Sequence, residues 1–279
     1  MRTFFSNSLF RLLVASFALL ASSAAFARPP VEEPDNLIND RFTLQAGLIL
    51  SSNVTDLRRD SSTGARGTDV SLERDLGLPS KKLTGFGELM FRMKDRHRIR
   101  LSDYYLPLDR HGTTVLTGAI NFGDTTYNVN DTVVSSLKVR SFALSYTYSF
   151  IKNSRLEFGG SLGFNILSFD GQVSVPTRLR IEYAQNSAPA PLGGLDVTFR
   201  ISKRFYAEAR AQYVKGSISG VNASLQTFNG SLLFRLMPNV TFGAGYIGYS
   251  ANVDVSTVGD SGHYTLASKG PQLFARVGF

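Results

Sequence analysis

The chain contains no cysteine and no tryptophan. Without cysteine there are no disulfides, no thiolate metal ligands, no thiol nucleophile and no lipid-modified N-terminal cysteine. Only three histidines occur, His97, His111 and His263, and no two share metal-ligand spacing. No run of about 20 apolar residues is present, which excludes a bundle of membrane helices. Nor is there a Lys/Arg-rich run of five or more. The 30 basic and 22 acidic residues give a formal charge of +8. They are spread along the chain, so the excess does not point to nucleic acid. No Gly-rich phosphate loop precedes a helical pattern. With 43% hydrophobic and 19% charged residues, the chain is not disordered as a whole. Its 279 residues suit about two ordinary domains or one larger β-barrel.

The N-terminal segment reads as an address. Arg2 and Arg11 flank the start of an apolar run, Leu12 to Leu20, and Ala25-Phe26-Ala27 follows as a small-x-small cleavage signature. Residues 1–27 are expected to be a secretory signal peptide cut after Ala27. They hold two basic residues and no acid. The remainder therefore carries 30 − 2 = 28 basic and 22 acidic residues, or +6. Residues 28–40 hold three prolines and four acids and are expected to be a short, unstructured periplasmic leader. Residues 41–279 form the folded part.

Helical periodicity is weak there, and period-two alternation recurs. It appears in residues 42–52, 82–94, 98–106, 134–150, 155–169, 191–201, 204–214, 225–237, 240–251 and 270–279. One parity of each segment is apolar, for example Phe142, Leu144, Tyr146, Tyr148 and Phe150. Each segment is about long enough to cross a bilayer at a tilt. The connections alternate as well. Residues 94–97, 151–154, 202–203 and 238–239 are short turns, whereas 53–81, 107–133, 170–190, 215–224 and 252–269 are long. Short turns on one side and long loops on the other form the pattern of a transmembrane barrel.

A soluble sandwich also has one apolar face, turned inward. The export signal, the systematic loop asymmetry and the ending on Phe279 favour lipid instead. The fold class expected is a closed antiparallel transmembrane β-barrel of about ten strands, with 8 or 12 as alternatives. The long loops carry further alternation at 115–122, 129–134, 173–175 and 179–183, expected as hairpins beyond the membrane.

The whole of residues 41–279 resembles the small outer-membrane β-barrels of Gram-negative bacteria. Gly67 to Leu78, Arg96 to Leu101 and Tyr104-Tyr105 resemble stretches of one group within that superfamily. The resemblance implies location and architecture, and little chemistry. A terminal strand with Leu273, Val277 and Phe279 on one face resembles the signal read by the barrel-assembly machinery, which it implies as a partner. Outer-membrane lipid and lipopolysaccharide are the other partners implied.

The opposite parity should face the lumen. It yields Glu88 and Arg92, Arg98 and Arg100, Glu157, Asp196 and Arg200, Glu208 and Arg210, Arg235, and Arg276 among polar neighbours. Glu88, Arg92, Arg98, Glu157, Arg200, Glu208, Arg235 and Arg276 lie near the periplasmic ends and are expected to form one charge cluster. Such a cluster either fills the lumen with Arg–Glu pairs or lines a narrow anion-preferring pore. Arg140 shares parity with Phe142 and is expected at the outer interface, without a bulge. Tyr146, Tyr148, Phe150, Phe158 and Phe205 read as a periplasmic aromatic girdle.

No catalytic residue is assigned. Asp260, Ser261 and His263 look most like a hydrolytic set, but sequence neighbours rarely converge as a triad. Asp69, Glu73 and Asp75 could attract a divalent cation, yet their spacing is weak evidence, and no metal or cofactor is expected. Leu72, Leu76 and Leu78 suggest that the first long loop packs on the barrel top. The role expected is structural or in surface interaction. A narrow pore is the alternative, and a rim hydrolase acting on lipid or peptide the second alternative.

Overall fold

The computed structural model describes residues 36–104, 110–175, 180–218, 220–257 and 260–279. The expected signal peptide and residues 28–35 of the leader lie outside the described residues. The elements are β1 (Phe42–Arg59), β2 (Val70–Ser71), β3 (Lys81–Lys94), β4 (His97–Tyr104), β5 (Arg110–Val115), β6 (Ile120–Phe122), β7 (Thr125–Tyr127), β8 (Thr132–Lys152), β9 (Leu156–Val175), β10 (Arg180–Arg200), β11 (Phe205–Ile218), β12 (Val221–Met237), β13 (Val240–Thr257) and β14 (Asp260–Gly278).

Ten of these form the wall: β1, β3, β4 and β8 through β14. Each pairs antiparallel with the next, and β14 returns to β1, with Thr43 opposite Gly278 and Arg59 opposite Gly262. Phe279 completes the seam: its carbonyl accepts from the Arg41 amide at 2.6 Å, and its amide donates to Phe42 at 2.9 Å. The inward row from Thr43 runs through Met90, Arg100, Ser145, Gly163, Leu192, Val214, Leu225, Ala251 and Leu266 to Thr55. The stagger is thus 55 − 43 = 12 residues. Closure with such a stagger tilts the strands by about 40°.

In the lower half the outward positions are apolar and exposed, Leu162 at 72% and Leu273 at 67% among them. Inward positions there are mostly polar, with a smaller apolar cluster of Ile49, Phe86, Tyr206, Leu233, Ile247 and Phe274. Tyr148 and Phe150 stack edge-on at 5.7 Å, Phe150 and Phe158 lie 6.2 Å apart, and Phe205 meets Phe234 at 5.1 Å. His97 joins this aromatic girdle through a 2.6 Å hydrogen bond between its Nδ1 and the Tyr146 hydroxyl.

In the upper half the alternation inverts. Val133, Leu137, Val139, Leu192, Val214, Leu225 and Leu266 point inward and form one buried core. Outward neighbours such as Asp56 and Lys138 are exposed. Arg140 lies where the inversion occurs on β8, and the β8–β9 register runs unbroken from Val134 to Ser149. No bulge is needed to place it.

Three expected loops are therefore largely strand. Residues 170–190, 215–224 and 252–269 mostly continue β9 to β14 beyond the lower belt. The alternation persists there with its faces exchanged, so an apolar parity followed from below fades. Residues 110–115 extend the wall above β4 by pairing with β8, and residues 120–127 form a separate small hairpin. Neither makes an eleventh or twelfth spanning strand.

Leu162 stands six residues above Leu156, or about 15 Å up a tilted strand. Leu162→Arg should cost about 2–4 kcal/mol of folding stability in lipid vesicles, measured by urea unfolding. Val129→Arg, on an exposed outer loop, should change stability by less than about 0.5 kcal/mol.

Candidate functional site

The lower lumen holds a layer of charges set by the wall register. Asp196 on β10 stands directly opposite Arg210 on β11, and Gln45 on β1 lies between Glu88 on β3 and Arg276 on β14. Arg210 binds Glu88 through both terminal nitrogens at 2.7 and 3.1 Å, and its Nε donates to Asp196 at 2.9 Å. Arg100 bridges the same two carboxylates, 3.0 Å from Glu88 and 2.6 Å from Asp196. Arg276 holds Glu208 through two bonds of 2.8 and 2.6 Å and donates to Gln45 at 2.9 Å.

A second group lies just below, nearer the short turns. Arg92 and Arg98 face each other across β3 and β4. Like charges in that position destabilise a sheet. Glu157 reaches both: it accepts two bonds from Arg92 at 2.8 and 2.9 Å and lies 3.6 Å from Arg98. The Ser149 hydroxyl donates to it at 2.6 Å.

The periplasmic mouth is closed by the end of the expected leader. Leu37–Asn39 form a single 3-10 turn, capped by the Asn36 side chain. Leu37 and Ile38 are buried in a cluster with Phe86, Tyr206, Leu233 and Phe274. Asp40 forms an ion pair with Arg235 at 3.0 Å, and its carbonyl accepts from Arg92 at 3.2 Å. Arg235 also donates to the Pro238 carbonyl. Residues 36–40 are thus ordered, because their two apolar side chains and one carboxylate have a prepared seat.

Six guanidinium groups (Arg92, Arg98, Arg100, Arg210, Arg235, Arg276) therefore face five carboxylates (Asp40, Glu88, Glu157, Asp196, Glu208). The cavity left among Glu88, Arg98, Arg100, Asp196, Glu208 and Arg210 measures about 30 Å³. That is room for one or two waters.

The outer end is closed by the segment between β1 and β3. Val70, Leu72, Leu76 and Leu78 join the inward core of the upper wall. A fully buried Arg110 pins the segment: it binds Glu73 and donates to the Thr55 hydroxyl at 2.7 Å. Ser135 donates to the Leu76 carbonyl at 3.1 Å. Above this core, Asp60 accepts from the Gly67 amide at 3.0 Å, from Ser261 at 3.1 Å and from Arg58 at 3.1 Å. The Gly67 amide foremost, with the Ser261 hydroxyl and the Arg58 guanidinium, holds the Asp60 carboxyl below its ordinary value against partial desolvation.

Seven of the eight cluster residues named from sequence lie in this lower layer or its mouth. Arg200 stands apart: it is half-buried at the β10–β11 turn, where its Nε donates to Ser202. Four residues below Asp196, it lies beneath the layer. Arg100, Asp196 and Arg210 were legible as inward residues but stood outside the expected cluster, although Glu88 within it pairs with Ser102, two residues above Arg100. Asp40 carried no sequence signal, because its segment is rich in proline and acid. On the last strand, Leu273 and Phe279 are exposed, whereas Val277 is buried between Leu44 and Val240 on its neighbours.

Within the hydrolytic-looking set, Ser261 and His263 do not converge. The Ser261 hydroxyl donates to Asp60, whereas His263 Nδ1 bonds Asp254 at 2.6 Å and its Nε2 bonds Thr265 at 3.0 Å. Ser261 and His263 therefore serve different partners. The acids of the first loop also separate: Glu73 binds Arg110, Asp75 binds Arg74, and Asp69 binds Arg66. Among the described residues no group of three potential metal ligands exists. His111 is on β5.

These features define the fold of a small outer-membrane β-barrel, closed by ten antiparallel strands. The outer-membrane protease OmpT from Escherichia coli is similar over 89% of this chain and 99% of its own, at 10% identity and a TM-score of 0.51. Ail, the attachment invasion locus protein of Yersinia pestis, matches 84% of this chain and 98% of its own, at 7% identity and a TM-score of 0.30. Neisserial surface protein A covers 85% and 97%, at 14% identity and a TM-score of 0.28. No family model matches the chain, and no curated protein is significantly similar to it. At 10% identity the likeness to the protease concerns the fold alone.

Glu157→Gln strands two buried guanidinium groups, so it should cost about 3–5 kcal/mol in urea unfolding. Glu208→Gln should cost less, because Arg276 keeps Gln45. The Asp60 tie is present above the ordinary carboxylate value of about 3.9 and is lost as pH falls through the lowered value. A polarity-sensitive dye on Ser62→Cys should report loosening of the outer segment below about pH 4. In Asp60→Asn the loosened signal should already be present at neutral pH.

Proposed function

We propose that the protein resides in the outer membrane, reached through the signal in residues 1–27, and acts there as a closed barrel. It neither conducts solutes nor catalyses a reaction. Its role is to hold a rigid, largely β-structured outer storey at the cell surface for structural or recognition purposes. The observation that carries this reading is the lower lumen: nearly balanced charges, paired at hydrogen-bond distance around a cavity of about 30 Å³. A pore needs a continuous water path past these groups. The seated turn at Leu37–Asn39 and the lid pinned by Arg110 add two more closures. The separation of Ser261 from His263 in the hydrogen-bond network supports a role without hydrolysis. The exposed face of Leu273 and Phe279 suits engagement by the barrel-assembly machinery during insertion.

One observation favours a second reading. Six guanidinium groups against five carboxylates leave one positive charge over, at Arg98, which would bias any leak toward anions. The two readings separate in a planar bilayer. Folded protein should give no discrete conductance steps under either sign of voltage. Steps carried mainly by chloride, altered by Arg92→Ala with Arg235→Ala, would replace the closed barrel with the narrow pore.

A further inference from the structure

On the lipid-facing wall, Lys269 of β14, Ser52 of β1 and Lys81 of β3 stand side by side in one hydrogen-bonded row. All three are exposed. Ser52 is ten residues above Phe42, which a tilted strand converts to about 25 Å. That equals the height of the apolar band of such barrels. Directly below the row the wall is wholly apolar: Leu50, Leu83 and Leu273 are each more than half exposed. The row therefore marks the boundary between acyl chains and headgroups of the outer leaflet.

A lone interfacial lysine would extend along the wall into water. Two lysines flanking a hydroxyl are a different object. Adjacent strands are about 4.8 Å apart, so the two lysine Cα atoms are about 10 Å apart. Both ammonium groups can reach one phosphate, or the two phosphates of one headgroup, with the Ser52 hydroxyl between them as a further donor. Among the described residues neither lysine has an acidic partner. The same row continues through Gly248, Phe228 and Ala211 to Leu195. It borders a groove of about 780 Å³. A side chain at Gly248 would meet nothing within 4 Å, so the groove floor there is open.

We infer that Lys81, Ser52 and Lys269 form a binding site for a phosphorylated, multiply acylated glycolipid of the outer leaflet. Its phosphate sits on the two lysines, and its chains descend over Leu50, Leu83 and Leu273 and into the groove. The inference rests on the outer-membrane reading above and names the lipid class that the outer wall selects. Charge complementarity singles out the occupant, since an uncharged lipid would use the leucines but not the lysines.

The test uses the full chain, folded into vesicles of zwitterionic phospholipid containing hexa-acylated, bis-phosphorylated lipid A. After extraction into mild detergent, retained lipid is counted by native mass spectrometry. Wild type should keep one lipid A. Lys81→Gln and Lys269→Gln should each weaken retention about fivefold, from roughly 1 kcal/mol per lysine at a membrane surface. Lys215→Gln, an outward lysine on β11, should leave retention unchanged. Equal retention of dephosphorylated lipid A, equal retention of phosphatidylglycerol, or an equal loss with Lys215→Gln would overturn the site. Failure of wild type to enter vesicles at all would instead overturn the membrane reading on which the site rests.

Discussion

A strand in hydrocarbon cannot leave its backbone amides and carbonyls unpaired. The pairing of β14 with β1 removes the last open edge, and the remaining architecture follows from it. Ten strands and a stagger of 12 fix the lumen width, which is larger than an eight-strand barrel can fill with small side chains. The lower lumen is filled instead by long Arg and Glu side chains. Because each guanidinium offers a planar fork that suits a carboxylate, the filling is also a set of defined bonds. Arg210 with Glu88, Arg276 with Glu208 and Arg92 with Glu157 all bind in this way.

Height decides which side of the wall is apolar. In the membrane belt the outward face meets lipid, so leucine and phenylalanine point out and charges point in. Beyond the belt the outward face meets water, and the interior must be packed by other means. There the inward face turns apolar and is filled by Val70, Leu72, Leu76 and Leu78. The barrel is one continuous sheet with two cores of opposite character. The lower one is largely polar and hydrogen-bonded, with a smaller apolar cluster around Phe86 and Phe274. The upper one resembles the interior of a soluble protein.

Much of the wall was legible because one rule, period two, ran through all ten segments. The strand positions, the short turns and the inward parity followed directly. The outer extensions did not, since Leu137 and Val139 are apolar on the face that carries Ser145 and Thr147 lower down. A reading that keeps one parity apolar loses the strand at that point. The seat of Asp40 was illegible for another reason. Its partner Arg235 is distant in sequence, and nothing in a run of proline and acid announces a plug. Arg200 was placed with the cluster because parity gives the face of a residue without giving the floor of the layer. Leu72, Leu76 and Leu78, by contrast, announced their burial, since three leucines in a polar loop need a cover.

The account stands on the inversion within β8 and on a lumen sealed on both sides of it. The absence of cysteine makes the test direct, because each introduced thiol is the only one in the chain. Nitroxide labels placed singly at positions 133–149 would be read for access to oxygen, which dissolves in lipid, and to a water-soluble nickel chelate. Positions 142, 144, 146 and 148 should be open to oxygen, and 134, 136 and 138 to nickel. Positions 133, 137, 139, 145 and 147 should be shielded from both. Nickel access at 145 and 147 would reveal a water-filled lumen and contradict the closed barrel.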